Sequence, residues 1–504
     1  MNRSLLVVAA LTALTALSGC QKETTCPAGE ALCGNACLDL ATDSANCGAC
    51  ANACAGGTIC KAGACACPTG QSLCGSTCVD LATDPAHCGA CANACASGSV
   101  CGTSGGATAC VLDCPAGTSA CGAACVTLAS DRLNCGACGK GCVTGESCLA
   151  GSCSSLQVAC FSVNEVRAVE PLEPTTGAAP RAAGVGPIAL TTLGADIWAA
   201  ASISGSLIRL PVELAVAPTE YLLAGNDFEY IATHAGRVLI SNAGAGTVVV
   251  VDPATGAVLD EVPVGKSAAE NVKGIAFATG PGIELAFVSL YGDSVSGDPT
   301  IGQKVAVLNA AGLYTCGQPG GPANCLTALG SIDVSGGADA PGLAFPGRSI
   351  TVGGKVYVAL ANLKKGAYGY FTDPAGPGRL AVIDPIDTSV SFFSLSAACG
   401  NPGGLAVHGT SLWVACGAGG LAEVDLSGAA PVLVAVHPAA VTSPGNVAFC
   451  GDHGFVTDQR SGDVYPFDPV NFAASPAAAI PVCPSSAPPY GYAWAADVAC
   501  ASRP

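Results

Sequence analysis

"RVLISNAGAGTVVVVDPATGAVLDEVPVG", from Arg237 to Gly265, is the most regular stretch of the chain beyond its cysteine-rich start. Apolar β-branched runs alternate with clusters of Gly, Asn, Asp and Pro. It reads as a strand, a Gly-rich turn, a strand ending at Asp252, a turn over Pro253 to Gly256, and a third strand.

The middle strand has counterparts. "QVACFS" ends at Ser162, "SLIRLP" at Pro211, "KVAVLN" at Asn309, "RLAVID" at Asp384, "GLAEVD" at Asp425 and "DVYPFD" at Asp468. Most are preceded by a second apolar run such as "DIWAAA", "RVLISN" or "SLWVAC". Earlier still come "GIAF", "GLAF", "GLAV" and "NVAF", beginning at Gly274, Gly342, Gly404 and Asn446. Three short strands and a return strand, spaced near 40 residues, are the signature of propeller blades. Seven middle strands predict an all-β fold, a seven-bladed β-propeller. The first copy, "SSLQVACFSVNEVRAVE", lacks inner strands, and the C-terminal "YGYAWAADVAC" lacks outer ones. Together they complete one blade and close the ring, which brings Cys160 and Cys500 into one sheet and leads to the expectation that they bridge. Two blades carry insertions, around Cys316 to Cys325 and around Lys364 to Gly378.

The unit from Arg237 to Gly265, with its Ser241-Asn242, "GTVVVVD" and "ATGAVLDEVPVG", resembles the YVTN family of bacterial β-propeller repeats. The other blades match it more loosely.

The chain has 504 residues and 33 cysteines, unevenly placed. Cys20 stands alone, most of the rest lie between Cys26 and Cys153, and few follow. Repeats begin at Cys26, Cys67 and Cys114, and in each copy successive cysteines enclose six, three, nine, two, three and five residues. The copies comprise Cys26, Cys33, Cys37, Cys47, Cys50, Cys54, Cys60 and Cys65; then Cys67, Cys74, Cys78, Cys88, Cys91, Cys95, Cys101 and Cys110; then Cys114, Cys121, Cys125, Cys135, Cys138, Cys142, Cys148 and Cys153. This region has no Phe, Tyr or Trp. It cannot bury enough apolar area to offset roughly 1–2 kcal/mol per residue of backbone entropy. Small disulfide modules are therefore expected, at roughly 3 kcal/mol per bridge for loops of this size.

The Cys-x-x-Cys pairs at Cys47, Cys88 and Cys135 also fit the spacing of a zinc knuckle or a redox couple. Zinc takes four ligands rather than eight evenly used thiols, and a redox couple needs a βαβ setting that is missing here. Asp43, Asp84 and Asp131 recur before each pair. With Asp39, Asp80 or Thr127 they make a poor cage for calcium, and are expected to cap turns. The pattern Cys-Gly-x-x-Cys-x-Asp-Leu-x-x-Asp, then Asn-Cys-Gly-x-Cys and a closing Gly-x-Cys, resembles the cysteine-rich module of stigma-specific plant secreted proteins, also seen in bacterial surface lipoproteins. The resemblance implies extracellular, non-catalytic modules. His87 departs from it, replacing the Asn before the second pair.

Arg3, an apolar run from Leu5 to Leu17 and "LSGC" ending at Cys20 read as an export signal too short for a mature membrane span. The last four residues resemble the bacterial lipobox, which implies lipidation of Cys20; Gln21 resembles the pattern sorted to the outer membrane. The expected organisation is a signal peptide over 1–19, a lipidated cysteine and tether over 20–25, cysteine-rich repeats over 26–66, 67–113 and 114–153, and the propeller over 154–504. Cys316 and Cys325 are further disulfide candidates.

A net charge of −17, with no basic patch, argues against nucleic acid as a partner. No nucleophile elbow, phosphate loop or HExxH motif occurs, and no catalytic set, metal site or cofactor is read. A lactonase-type propeller would want Asn, Asp or Glu at the inner-strand starts. Lys273, Pro341, Gly403 and Gly445 stand there, with Asp339, Asn401 and Asn446 nearby. His234 and His408 follow inner strands, and Trp198, Trp413 and Trp494 read as packing between blades. The functional expectation is a lipid-anchored envelope protein of the outer membrane, periplasmic or surface-facing. Its propeller would bind a protein or glycan, with the repeats as a stalk. The alternatives are a metal-dependent hydrolase or lactonase and a purely structural coat component.

Overall fold

The computed structural model describes residues 26–503, apart from 97–98, 105–106, 123, 144, 173–179, 212–215, 226, 266–269, 294, 418, 439–440, 473–478 and 486–492. Cys20 and the signal lie outside the described residues. Two compact units are present, Met1–Val126 and Thr127–Pro504.

The first unit is built from two-stranded hairpins, Ala31–Cys33 with Ala36–Leu38 being one. Disulfides tie them in a fixed order. In the first copy Cys26 joins Cys37, Cys33 joins Cys50, Cys47 joins Cys60 and Cys54 joins Cys65. In the second, the pairs are Cys67–Cys78, Cys74–Cys91, Cys88–Cys101 and Cys95–Cys110. In the third, Cys114–Cys125 lies in the first unit, while Cys135–Cys148 and Cys142–Cys153 lie in the second. Cys121 and Cys138 are disulfide-bonded as well. The two cysteines of each Cys-x-x-Cys therefore go to different partners where both bridges are described, which removes the redox couple. The thiols that a zinc knuckle would use are likewise consumed.

The glycine that follows the first cysteine of the pair has a steric reason. Gly48 adopts φ +71°, and a Cβ there would fall 2.4 Å from the carbonyl oxygen of Gly63. Only glycine fits both demands. The recurrent aspartates cap turns: Asp43, Asp84 and Asp131 each accept the amide two residues on, at 2.8 Å. His87 fills the role of its Asn counterparts, its Nδ1 accepting the amide of Ala92 at 3.0 Å where Asn46 accepts that of Ala51 at 2.8 Å.

The second unit is a seven-bladed β-propeller without α-helices among the described residues. Blade 1 runs Pro187–Leu193, Asp196–Ala201, Ser206–Leu210 and Thr219–Leu222 from the axis outward. Blades 2 to 6 repeat the meander, with innermost strands Phe228–His234, Val272–Thr279, Pro346–Val352, Pro402–His408 and Pro444–Cys450. Blade 7 is composite. The C-terminal Ala495–Arg503 is innermost and pairs antiparallel with Ser152–Cys160, followed by Glu165–Val169 and Arg181–Ala182. "QVACFS" thus belongs to a second strand, not a third; the count of seven is unaffected, because Glu165–Val169 supplies the third.

Alternation places successive side chains on opposite blade faces. Ile197 packs toward blade 7 while Trp198 packs toward blade 2. Seven apolar clusters result, one between each pair of neighbouring blades. Thr247–Val251 is buried along its whole length, as a strand covered on both faces must be. Each fully buried large side chain stabilises by about 1.5–3 kcal/mol.

Cys160 and Cys500 do share the blade 7 sheet, yet they do not bridge. In the register Cys160 lies opposite Ala495 and Cys500 opposite Leu156, several residues apart along the strands. Cys160 instead joins Cys483, and Cys500 joins Cys450 of blade 6. Cys316–Cys325 closes the first insertion, and Cys399–Cys416 ties the approach to blade 5 to its second strand. Every cysteine from Cys26 onward is disulfide-bonded. Such density belongs to exported proteins.

The last hairpin of the third repeat, within the second unit, is continuous with the propeller. Ser147–Leu149 pairs with the start of Ser152–Cys160, and that strand runs on into blade 7.

Candidate functional site

All innermost strands begin on one face of the ring, where they crowd around the axis. Gly274 shows how closely: a Cβ there would lie 2.7 Å from the carbonyl oxygen of Gly347 on the next strand. Register shifts at these starts, between Val272 and Ile275, Pro346 and Ser349, Pro402 and Leu405, and Pro444 and Val447, mark β-bulges that re-aim side chains toward the axis.

The result is a funnel of about 400 Å³. Strand starts contribute Glu229 and Tyr230 from blade 2, Lys273 from blade 3, Arg348 from blade 4, and Ala496 with the adjoining Trp494 from blade 7. Loops on the same face add Tyr291, Phe345, Asn401 and Gln459. The wall combines aromatic rings with hydrogen-bonding groups.

The charges are matched. Lys273 Nζ lies 2.7 Å from Glu229 Oε2 and 5.3 Å from the centre of the Tyr291 ring. Arg348 reaches Asp497 at 3.2 Å and lies over the Tyr230 ring at 5.2 Å. Asp497, almost wholly buried, also accepts the Leu190 amide at 2.8 Å and a hydrogen bond from Asn446 Nδ2. Burial, with the Glu229 charge, pushes the Tyr291 phenol up to about 12. Burial also raises Tyr230; Arg348 opposes the rise and Asp497 adds to it. Both phenols therefore stay neutral donors at ordinary pH. Burial works against the Arg348 charge, but Asp497, Tyr230 and Glu229 together outweigh it and the guanidinium is held above its usual range.

Lys273, Gly403 and Asn401 do line the funnel. Asn446 holds Asp497, whereas Asp339 is spent on Arg379 at 2.6 Å and on Asn362. Pro341 does not precede an inner strand. "GLAF" at Gly342 belongs to the loop before blade 4, where Leu343 bridges to Leu363, and the innermost strand starts at Pro346. Misplacing that strand hides Arg348. Its signal is a repeated Pro-Gly, in "PGRSI", "PGGLA" and "PGNVA" at Pro346, Pro402 and Pro444. His234 and His408 end their inner strands, away from the funnel, beside Glu284 and Asp452 and stacked on Phe277 and Phe449. Trp198 and Trp413 pack between blades as expected, but Trp494 precedes the closing strand and faces the funnel.

Residues 104–156 match the Stigma-specific STIG1-like protein family. No curated protein matches the chain in sequence. Among solved structures, apo AztD from Citrobacter koseri is 14% identical over 70% of this chain and 98% of its own, with a TM-score of 0.44. A protein provisionally assigned as a 6-phosphogluconolactonase from Bacteroides fragilis is 12% identical over 62% of this chain and 90% of its own, TM-score 0.46. Virginiamycin B lyase from Staphylococcus aureus is 11% identical over 56% and 82%, TM-score 0.39.

Proposed function

We propose that this chain is an exported binding protein of the cell envelope, anchored through a lipidated Cys20. The propeller funnel engages a polar partner, a glycan or a projecting protein segment, and the disulfide-bonded repeats serve as a spacer. The observation that carries the reading is the funnel wall, in which the rings of Tyr230, Tyr291 and Trp494 stand among the hydrogen-bonding groups of Lys273, Arg348, Asn401 and Gln459. Concave sites lined mainly by aromatic groups, with a few placed polar ones, bind organic ligands.

Binding is favoured over metal-dependent hydrolysis because the one carboxylate among the described lining residues, Glu229, is engaged by Lys273, and the buried Asp497 beneath the funnel is engaged by Arg348 and Asn446. A divalent cation wants several free oxygens. The test is a glycan array probed with the full chain, followed by titration against Trp fluorescence. Saturable binding that Trp494→Ala and Gln459→Ala weaken supports the proposal. Chelator-sensitive melting together with lactone hydrolysis would replace it with the hydrolase reading. Intact mass with and without reduction tests the lipid on Cys20.

A further inference from the structure

Between the second and third strands of blade 4 the chain inserts a hairpin, Leu363–Lys365 paired with Phe371–Pro374. Its base is rooted in the funnel wall. Leu363 and Phe371 are buried, the Phe371 ring lies 5.3 Å from Phe345, and Phe345 lies 5.0 Å from Tyr291. Phe345, Tyr291 and Ala361, at the foot of the hairpin, all line the funnel.

The outer part of the hairpin has the opposite character. Tyr368 is 92% exposed and Tyr370 51% exposed, the former the most exposed large apolar side chain of the described residues. Lys364 and Lys365, on the first strand of the same hairpin, are exposed as well. A ring left almost wholly in water contributes nothing to the fold. Adjacent lysines are equally out of place in a chain with 19 basic against 36 acidic residues. Asp373, opposite Lys364 in register, offsets one of the two charges, and Lys365 Nζ lies 5.7 Å over the Phe371 ring. The tip therefore offers two ring faces beside a locally positive patch, on the face where the funnel opens.

We infer that this hairpin is a rim subsite that extends the funnel and takes an acidic glycan, a polysaccharide whose sugar rings lie on Tyr368 and Tyr370 while its carboxylates meet Lys364 and Lys365. Ring stacking and exposed charge each contribute modestly, and the charge part is screened by salt. The inference rests on the funnel reading and names the ligand class for it.

The test uses the full chain with polygalacturonate, dextran and anionic phospholipid vesicles as probes. Polygalacturonate should bind in low salt, weaken in high salt and exceed dextran. The pairs Tyr368→Ala with Tyr370→Ala, and Lys364→Gln with Lys365→Gln, should each weaken it about tenfold. Melting temperatures should not change, because these side chains are exposed. Equal binding of dextran, a preference for vesicles, or hairpin variants that bind like the parent overturns the inference. In the last case a loss on Trp494→Ala still leaves the funnel reading standing. Loss in the hairpin pairs with none in Trp494→Ala would leave binding at the hairpin alone, removing the funnel reading and with it the inference that the hairpin extends it.

Discussion

Arg348, on the innermost strand of blade 4, pairs with Asp497, on the innermost strand of blade 7, at 3.2 Å, although these blades are not neighbours in the ring. The pair links two sides of the axis beneath the funnel. Tyr230 of blade 2 lies against the guanidinium and Asn446 of blade 6 against the carboxylate, so four blades meet at one polar cluster.

Arg348→Gln leaves a buried carboxylate without its cation, which costs about 2–3 kcal/mol, somewhat below a fully buried pair because Arg348 keeps some exposure and Asn446 remains. The double variant Arg348→Gln with Asp497→Asn removes the orphaned charge as well. It should melt above the single variant. Thermal unfolding of both checks this; a double variant no more stable than the single would show that the pair is not what the cluster depends on.

The bridge between Cys160 and Cys483 spans 323 residues and fastens the start of the propeller to its closing segment. A loop of that size lies at the top of the range for disulfides, about 5 kcal/mol in the loop-entropy treatment. Cys160→Ser with Cys483→Ser should accelerate unfolding in denaturant far more than Cys316→Ser with Cys325→Ser, whose loop spans nine residues. Peptide mapping under non-reducing conditions should recover Cys450 linked to Cys500. A Cys160 to Cys500 peptide would contradict the register.

Much of this architecture is legible in the residues. Five apolar or β-branched side chains in Thr247–Val251 can only be a strand buried on both faces, and a first copy without inner strands next to a last copy without outer ones leaves ring closure as the solution. The cysteine pairing is not legible, since eight cysteines admit 105 connectivities and strand register, not sheet membership, decides Cys160. The funnel is harder still. Glu229, Arg348 and Asp497 are far apart in sequence, and no local spacing connects them. The bulge that turns Arg348 inward is announced only by a Pro-Gly pair that also reads as an ordinary turn.

Alkaline pH should unlock the funnel. The folded state holds Tyr291 at about 12 and raises Tyr230, whereas an unfolded tyrosine ionises near 10. Between those values the folded protein binds more protons than the unfolded chain, so stability falls as pH rises. The contribution is complete below about pH 10 and is lost as pH rises through about 12. Tyr291→Phe should flatten this decline in melting temperature. An unchanged slope would place the titrating group elsewhere.

The mount of the third repeat gives a last test. Glu146, nearly buried, holds Arg503 at 2.8 Å and accepts the Val143 amide at 3.0 Å, while Glu170 receives Ser147 Oγ at 3.3 Å. These contacts pin the hairpin Ser147–Leu149 to the blade that closes the ring. Glu146→Ala removes both of its bonds and should cost about 2 kcal/mol locally. The disulfides Cys135–Cys148 and Cys142–Cys153 remain, so the repeat keeps its own shape. Hydrogen exchange should therefore quicken at Ser147–Leu149 and at the C-terminal end of Ala495–Arg503, with little change in blades 2 to 4. Uniform acceleration across all blades would mean that the repeat supports the whole ring rather than one sheet.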